Sequence, residues 1–290
     1  MDELETRLPL RALIAGCGDV GRRLTQRLAA RDCKVTALIR DPLKAEPLLA
    51  VGAQLLRQDL DHPQSAGDWP LLFWFAPPPT AGNTDPRLRG WLQAQQGRIA
   101  RLVYISTSGV YGDCQGRWID EDEPLKPQTP RALRRVDAEQ ALRDWSESHG
   151  CDVIVLRVPG IYGPGRLPVE RLRQGMPVLK PEVSPWSNRI HADDLAGAAL
   201  HAAALGRAGS AYNVSDGKPT TMADYFTRCA LLLGLPTPRA VDLDEARSVF
   251  TPAMWSFMEE SKRLRTERLR EELRFTPRYP DLESGLPSCR

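Results

Sequence analysis

Three glycines near the start of the chain have the spacing that a dinucleotide requires. Gly16, Gly18 and Gly21 form the pattern GxGxxG. The first permits a tight turn, the second leaves room for a pyrophosphate, and the third lets a helix lie close to a strand. The helix N-terminus adds unpaired N–H groups and a partial positive charge. We therefore predict a dinucleotide site whose first ligands are Gly16, Cys17, Gly18, Asp19, Val20 and Gly21.

The next apolar run ends at residues that could bind the adenosine ribose. Residues 34–39 read KVTALI, and Arg40 and Asp41 follow about twenty residues beyond Gly21. An acidic residue there binds the 2′-hydroxyl of NAD, whereas an arginine accommodates the 2′-phosphate of NADP. Because Arg40 comes first, we predict NADP. Asp41 keeps NAD possible, and a solvated Arg40 at a strand end is the alternative without a ligand.

The elements that position these groups alternate between apolar runs and helical patterns. The runs are typical of buried parallel strands and cover residues 12–15, 34–39, 53–56, 71–75, 102–106, 153–158 and 211–214. After the glycine turn, Val20, Leu24 and Leu28 recur at fourfold spacing, which predicts a helix with one buried face. This alternation predicts an α/β fold with a doubly wound parallel sheet of the Rossmann type.

Ligands of such sheets bind beyond the carboxyl ends of the strands. Asp59 and Leu60 close the third predicted strand, and Ala76 ends the fourth before the rigid run of prolines at 77–79. We therefore predict Asp59, Leu60 and Ala76 as further cofactor residues. At 290 residues the chain is long enough for a second lobe. We expect a Rossmann domain over 1–165 and a smaller substrate lobe over 166–290, interleaved because the strand near 211–214 rejoins the large sheet.

Composition excludes several classes of function. The net charge is +2 with both signs interspersed, and the charged segment 254–275 reads as a solvated helical face, so we expect no nucleic-acid partner. Six scattered cysteines without a CxxC pair predict reduced or buried thiols and no metal site. The start MDELETRLP is acidic without an apolar signal core, and no apolar run is long enough to span a bilayer. We expect a cytoplasmic protein with no membrane partner.

Four segments carry a resemblance to a known family. They are RLVYISTSGVYG at 101–112, LRVPGIYGPGR at 156–166, NRIHADDLAGA at 188–198 and AYNVSDGKPTTMADYF at 211–226. In this order they resemble the extended short-chain dehydrogenase/reductases, the NAD-dependent epimerase/dehydratase family. The resemblance implies a Rossmann sheet of six or seven strands, a C-terminal lobe for a small-molecule substrate that is often a nucleotide sugar, and a possible homodimer.

The family's catalytic residues are only partly present. The resemblance implies that Thr107 supplies the catalytic hydroxyl, with Ser106 as a cofactor neighbour. The family's Tyr-x-x-x-Lys pair aligns with Arg131 and Arg135. In the family the tyrosine transfers a proton and the lysine holds the nicotinamide ribose, but an arginine cannot act as a general base near neutral pH. We expect Arg131 to face the substrate and Arg135 the cofactor, or else Arg135 to pair with Glu139 on a solvated face.

Other positions follow from the same resemblance. Tyr111, the tyrosine of VYG, is a candidate substitute proton donor or a packing residue. Arg166 and Arg189 are expected to bind an anionic substrate group. His191 is expected to be structural, and Asp193 to cap a helix.

Two functions remain open from the sequence. The first is an oxidoreductase or an epimerase/dehydratase that acts on a hydroxyl or carbonyl compound, with Thr107 positioning the substrate. The second is a catalytically degraded regulator or scaffold in which NADP and a small-molecule effector bind between the lobes. The absent tyrosine and lysine favour the second, and the usual activity of the family favours the first.

Overall fold

The computed structural model describes residues 6–290, and the acidic start of the chain at 1–5 lies outside the described residues. Seven strands form the central sheet: β1 Arg11–Ala15, β2 Lys34–Ile39, β3 Gln54–Arg57, β4 Trp69–Trp74, β5 Ile99–Thr107, β6 Asp152–Val158 and β7 Ala211–Asn213. Their order is β7-β6-β5-β4-β1-β2-β3, and every neighbouring pair is parallel. The strand order reverses between β1 and β4, which confirms the predicted doubly wound sheet.

The five longer helices of the described chain are α1 Asp19–Ala29, α2 Pro86–Ala94, α3 Pro130–His149, α4 Ala192–Leu205 and α5 Met222–Leu233. Helix α5 packs away from the large sheet, in an apolar cluster with Tyr162 and Leu282. Helices α1 and α4 pack on one face, and α2 and α3 on the other. Strand β4 is apolar on both sides because both faces of the sheet are covered there: Phe73 packs on the first face and Trp74 on the second.

Side-chain caps set the starts of several helices. Asp85 Oδ1 accepts the N–H of Leu88 at 3.1 Å, and Thr129 Oγ1 accepts the N–H of Ala132 at 3.2 Å. Helix α3 ends at Gly150, whose φ of 62° is a left-handed conformation that favours glycine. These local signals set where α2 and α3 begin and where α3 ends.

The remaining elements are short. Two-stranded pairs join Gly160–Tyr162 to Arg189–His191, Val178–Leu179 to Ala240–Val241, Trp186–Ser187 to Thr220–Thr221 and Trp118–Ile119 to Arg263–Leu264. Short α-helices cover Glu46–Leu49, Val169–Arg173, Leu243–Val249, Pro252–Met258, Glu267–Glu271 and Leu282–Gly285, and 3-10 turns cover Pro42–Lys44, Ser108–Tyr111 and Leu286–Cys289. Strand β7 crosses back from the second half of the chain into the large sheet, and the exact lobe boundary stays a prediction.

Two local predictions are wrong. The segment 254–275 is not one solvated helix: it forms a helix to Met258, a strand at Arg263–Leu264 and a helix at Glu267–Glu271, with Leu264 and Leu269 buried. Pairing of the strand with residues 118–119 overrides the helical pattern. Asp193 is not the cap of α4, because the ring of His191 accepts the N–H of Asp193 at 3.2 Å. Among residues 6–290, no helix has the length and apolarity to cross a membrane.

Candidate functional site

A first cavity of about 420 Å³ opens at the carboxyl ends of β1, β2 and β4. It is lined by Gly16, Cys17, Gly18, Leu38, Ile39, Arg40, Asp41, Gln58, Asp59, Leu60, Phe75, Ala76, Pro77 and Arg87. The cavity therefore brings together predicted cofactor residues from the glycine turn and from the ends of three further strands.

The glycine turn has the shape of a phosphate cradle. Gly16 has a φ of 95°, and a Cβ on it would lie 2.5 Å from the carbonyl carbon of Phe75. A Cβ on Gly18 would meet no atom within 4 Å, and one on Gly21 would lie 2.9 Å from the carbonyl oxygen of Gly16. The N-terminus of α1 has no side-chain cap, so its first N–H groups remain available for an anion. The turn fits the diphosphate of a dinucleotide.

Three predicted ligands of the turn lie outside the cavity lining. Val20 and Gly21 are buried in the contact between α1 and the sheet. The carboxylate of Asp19 accepts bonds from Arg23 at 2.9 Å and Arg166 at 2.6 Å. Burial alone would raise the pKa of Asp19, but the two guanidinium groups outweigh it and lower the pKa. Arg166, predicted to bind substrate, forms an ion pair with Asp19 of the glycine turn.

The adenosine end of the cavity contains an arginine that sequence reasoning missed. Arg87, in the first turn of α2, lines the cavity together with Arg40. The side chain of Arg40 is 68% exposed, and its guanidinium lies 3.6 Å from Asp61. Asp41 uses Oδ1 to accept the N–H of Leu43 at 3.0 Å, so one oxygen is engaged in the adjoining turn. No motif in the sequence separates Arg87 from the other surface arginines.

A second cavity of about 470 Å³ lies between the large sheet and the smaller lobe. It is lined by Thr107, Ser108, Gly109, Arg131, Pro159, Gly160, Ile161, Trp186, Ser187, Asn188, Arg189, Met222, Tyr225, Phe257, Glu260 and Lys262. Segments far apart in sequence meet here, and three predicted site residues, Thr107, Arg131 and Arg189, share the cavity.

Thr107 ends β5 at the wall of the second cavity. Its Oγ1 accepts the N–H of Gly109 at 3.2 Å, which caps the 3-10 turn that follows. A hydroxyl that accepts a backbone bond keeps its own proton to donate. Thr107 can therefore donate a hydrogen bond to an oxygen of a ligand in this cavity.

Two arginines in the second cavity form no ion pair with a carboxylate of residues 6–290. The charge of Glu260 nevertheless acts on Arg131, and that of Asp216 on Arg189. The guanidinium of Arg131 stacks over Phe257 at 4.1 Å and makes no hydrogen bond or ion pair with any residue in 6–290. Arg189 stacks over Tyr225 at 4.2 Å and donates to the carbonyl oxygen of Asn188 at 2.9 Å. Burial lowers the pKa of both side chains. Arginine remains charged even so, and the two groups make the cavity attractive to an anion.

Arg135 and Ser106 line neither of the two cavities. Arg135 Nη1 donates to the hydroxyl of Tyr104 and to the carbonyl oxygen of Ile105, each at 3.0 Å. The Ser106 hydroxyl donates to Glu139, whose other oxygen pairs with Arg157 at 3.0 Å in a buried ion pair. The alternative pairing of Arg135 with Glu139 is therefore wrong, and α3 directs Arg131 and Arg135 to different surroundings.

Tyr111 is placed as a packing residue. Tyr111 is 1% exposed, and its hydroxyl donates to Asn213 Oδ1 at 2.8 Å. The Tyr111 hydroxyl oxygen also accepts a hydrogen bond from Arg157 Nη1 at 3.0 Å. Burial raises its pKa above the usual value for tyrosine. A buried hydroxyl with both partners engaged, outside the lining of the second cavity, is unsuited to the proposed proton transfer.

A buried Glu–Lys pair in the second cavity was also missed. Glu260 Oε2 lies 2.8 Å from Lys262 Nζ, and the two side chains are 10% and 6% exposed. Lys262 also donates to the carbonyl oxygen of Gly112 at 2.6 Å, whereas Glu260 Oε1 is buried without a partner. The misassigned segment 254–275 carries both residues, so no sequence signal could have found them.

The thiols carry no evident chemistry. All six cysteines are unpaired. Cys17 lines the first cavity, where burial raises its pKa to about 12, and Cys289 lines a separate cavity of about 360 Å³. Within residues 6–290, no group of three or more His, Cys, Asp or Glu side chains could hold a metal ion.

Comparisons with known proteins agree with this geometry. A profile of the NAD dependent epimerase/dehydratase family matches residues 87–215. Protein YeeZ of Escherichia coli K12 is 29% identical over 286 residues, covering 92% of this chain and 96% of YeeZ. A conserved protein of unknown function from Silicibacter pomeroyi superposes with a TM-score of 0.77 at 32% identity, over 96% of this chain and 97% of that one.

Solved structures at lower identity share the fold. A double mutant of DesIV, a dTDP-glucose 4,6-dehydratase from Streptomyces venezuelae with NAD bound, superposes with a TM-score of 0.76 at 20% identity, over 97% of this chain and 95% of that one. The glycine cradle, the sheet order and the full-length similarity lead to one conclusion: the chain belongs to the NAD dependent epimerase/dehydratase family.

Proposed function

We propose that the protein binds NADP in the first cavity and acts on a hydroxyl or carbonyl compound that carries an anionic group in the second. The proposed reaction is that of an oxidoreductase or an epimerase/dehydratase. The observation that carries the proposal is Arg131, a half-buried cation that forms no ion pair within the described chain, in the same cavity as Thr107. A buried cation is stable only when an anion pairs with it, and a ligand can supply that anion.

The side chains divide the work as follows. Thr107 donates a hydrogen bond to the reacting oxygen, and Arg131 and Arg189 hold the anionic group. A bound nicotinamide dinucleotide supplies or accepts the hydride. Arg40 favours NADP, because its guanidinium at the end of β2 is exposed to a 2′-phosphate. The diphosphate of a nucleotide sugar meets the charge requirement of the second cavity.

A second candidate function is that of an NADP-dependent regulator or scaffold. Arg131 and Arg135 stand at the positions of the family's proton-transferring pair, and Arg135 is held by Tyr104 and Ile105 away from the cavity. A protein without that pair loses about a hundred- to ten-thousandfold in rate from acid–base catalysis. In this role the dinucleotide and an effector bind without turnover. For both candidate functions we propose that the protein is located in the cytoplasm and forms a homodimer.

The test measures NADPH oxidation with a panel of aldehydes, ketones and nucleotide keto-sugars. Parent and the double variant Arg131→Tyr, Arg135→Lys are compared, with NADPH binding measured by calorimetry in the same samples. Turnover by the parent supports the enzyme. Binding without turnover in both proteins supports the regulator, and absence of dinucleotide binding contradicts both candidates.

A further inference from the structure

We propose that Arg87 is a second ligand for the 2′-phosphate of NADP and that Asp61 competes with this phosphate for Arg87 and Arg40. The inference rests on the proposed NADP function. It adds two residues at the adenosine end of the first cavity that no sequence motif indicated. The preference for NADP over NAD then depends on whether the 2′-phosphate replaces the Asp61 carboxylate at both arginines, and not on Arg40 alone.

The three side chains form one compact ion cluster. Asp61 accepts a forked pair of bonds from Arg87, with 2.6 Å from Nε to Oδ1 and 3.0 Å from Nη2 to Oδ2. Arg40 Nη1 lies 3.6 Å from the same Oδ2. Two guanidinium groups that line the cavity thus converge on one carboxylate.

Arg87 is held in place before any ligand binds. Its remaining nitrogen, Nη1, donates to the carbonyl oxygen of Pro77, next to Ala76 in the cavity wall, at 3.1 Å. Its side chain is 21% exposed, whereas that of Arg40 is 68% exposed. An arginine already ordered by its neighbours loses less side-chain entropy when it binds an anion.

A phosphate can replace Asp61 on chemical grounds. Carboxylate and phosphate both accept the forked bonds of a guanidinium, and a phosphate monoester carries close to two negative charges where the carboxylate carries one. The bond to Arg87 lowers the pKa of Asp61, so the competing carboxylate is ionised at neutral pH.

The other acids nearby are already engaged. Asp41 accepts the N–H of Leu43, and Asp59 accepts the N–H of Asp61 at 3.0 Å and lies 3.6 Å from His62. These carboxylates reduce the net positive charge, which leaves Asp61 as the acid whose removal changes both arginines at once.

The experiment measures dissociation constants for NADP and NAD by calorimetry at low salt. Arg87→Met is expected to weaken NADP about tenfold and to leave NAD within twofold, because only NADP carries the second anion. Asp61→Asn is expected to tighten NADP several-fold with NAD unchanged, because the competing charge is gone. The control Arg89→Met removes the same charge from the same helix, where Arg89 pairs with Asp137 at 2.7 Å, and should change neither constant.

Each outcome has one meaning. Equal losses of NADP and NAD affinity in Arg87→Met would show that Arg87 only supports the loop at Pro77 and would overturn the inference. So would an unchanged ratio of the two constants in both Arg87→Met and Asp61→Asn. If the parent binds both dinucleotides equally, the NADP proposal fails together with the inference, whereas dinucleotide binding itself stands. Thermal unfolding of each variant confirms that the fold is intact.

Discussion

The two cavities lie along the same edge of the sheet, but they differ in how much of their lining is backbone and how much is side chain. Backbone forms much of the first, where Gly16 and Gly18 bring main chain to the ends of β1 and β4. Side chains form the second, and they come from segments as distant as Thr107 and Lys262. A site made of backbone tolerates few changes and leaves a motif, whereas a site made of side chains can change its chemistry while the fold is kept.

The charges of the two cavities differ in the same sense. In the first, Arg40 and Arg87 share the carboxylate of Asp61, so a ligand must displace an anion. In the second, Arg131 forms no ion pair among residues 6–290, so an anionic ligand would not have to displace a carboxylate from it. This difference supports the two proposals, that the first cavity discriminates between NADP and NAD and that the second binds an anionic compound.

The largest expected effect separates ligand binding from folding within the glycine turn. Gly18→Val should weaken NADP binding by at least about a hundredfold without loss of stability, since its Cβ projects into open space where the diphosphate would lie. Gly16→Val should instead lower the melting temperature, because its side chain meets the backbone of Phe75 and Ala76. Calorimetry and thermal unfolding measure the two effects. A Gly18→Val protein with the parent's affinity would rule out the cradle.

Arg40→Ala tests the discriminating role of the first cavity. A charge-assisted bond to the 2′-phosphate contributes about 1.5 to 3 kcal/mol, which is roughly a ten- to hundredfold change in affinity. We expect NADP to lose this factor and NAD to be unaffected in direct binding titrations. Equal affinities of the parent for the two cofactors would contradict the prediction.

Arg131→Met tests the second cavity in the same way. The variant should bind UDP-glucose about tenfold more weakly, because the ligand's diphosphate loses its interaction with the Arg131 guanidinium. Its affinity for NADP should stay the same. Calorimetry with each ligand provides the measurement. Arg143→Met is the matched control, since Arg143 lies on the exposed face of the same helix and donates a hydrogen bond to Gln140. A UDP-glucose affinity that Arg131→Met leaves intact would remove Arg131 from the site.

The smallest expected effect is a pH dependence of ligand binding in the second cavity, caused by Asp216, which lies outside the cavity lining. Burial raises the pKa of Asp216, the backbone N–H of Lys218 and the charge of Arg189 lower it, and Asp281 and Asp194 raise it; the resulting pKa is about 7. As pH falls through 7, Asp216 becomes neutral and compensates less of the charge on Arg189. Affinity for UDP-glucose, whose diphosphate does not titrate there, should rise a few-fold between about pH 8 and 6. Asp216→Asn should abolish the rise, and a pH-independent parent would refute the coupling.

Local signals were sufficient for the fold and for the first cavity. GxGxxG between an apolar run and a helical pattern placed the turn, and seven apolar runs placed strands that all occur in the sheet. These features depend on residues close together in sequence, so pattern alone determines them. The wrong helix over 254–275 marks the limit, because a strand pairing with residues 118–119 decides that segment.

The sequence by itself determined the doubly wound sheet, the glycine turn, Arg40 at the end of β2 and the absence of the Tyr-x-x-x-Lys pair. Only the tertiary structure decided which side chains meet. Helical spacing predicted Arg131 and Arg135 on one face of α3. In the structure Arg131 stacks on Phe257, whereas Arg135 donates a hydrogen bond to Tyr104. Asp61 with Arg87, and Glu260 with Lys262 beside Arg131, became visible only when distant segments were brought together. Side-chain partners across such distances depend on packing, which no local pattern records.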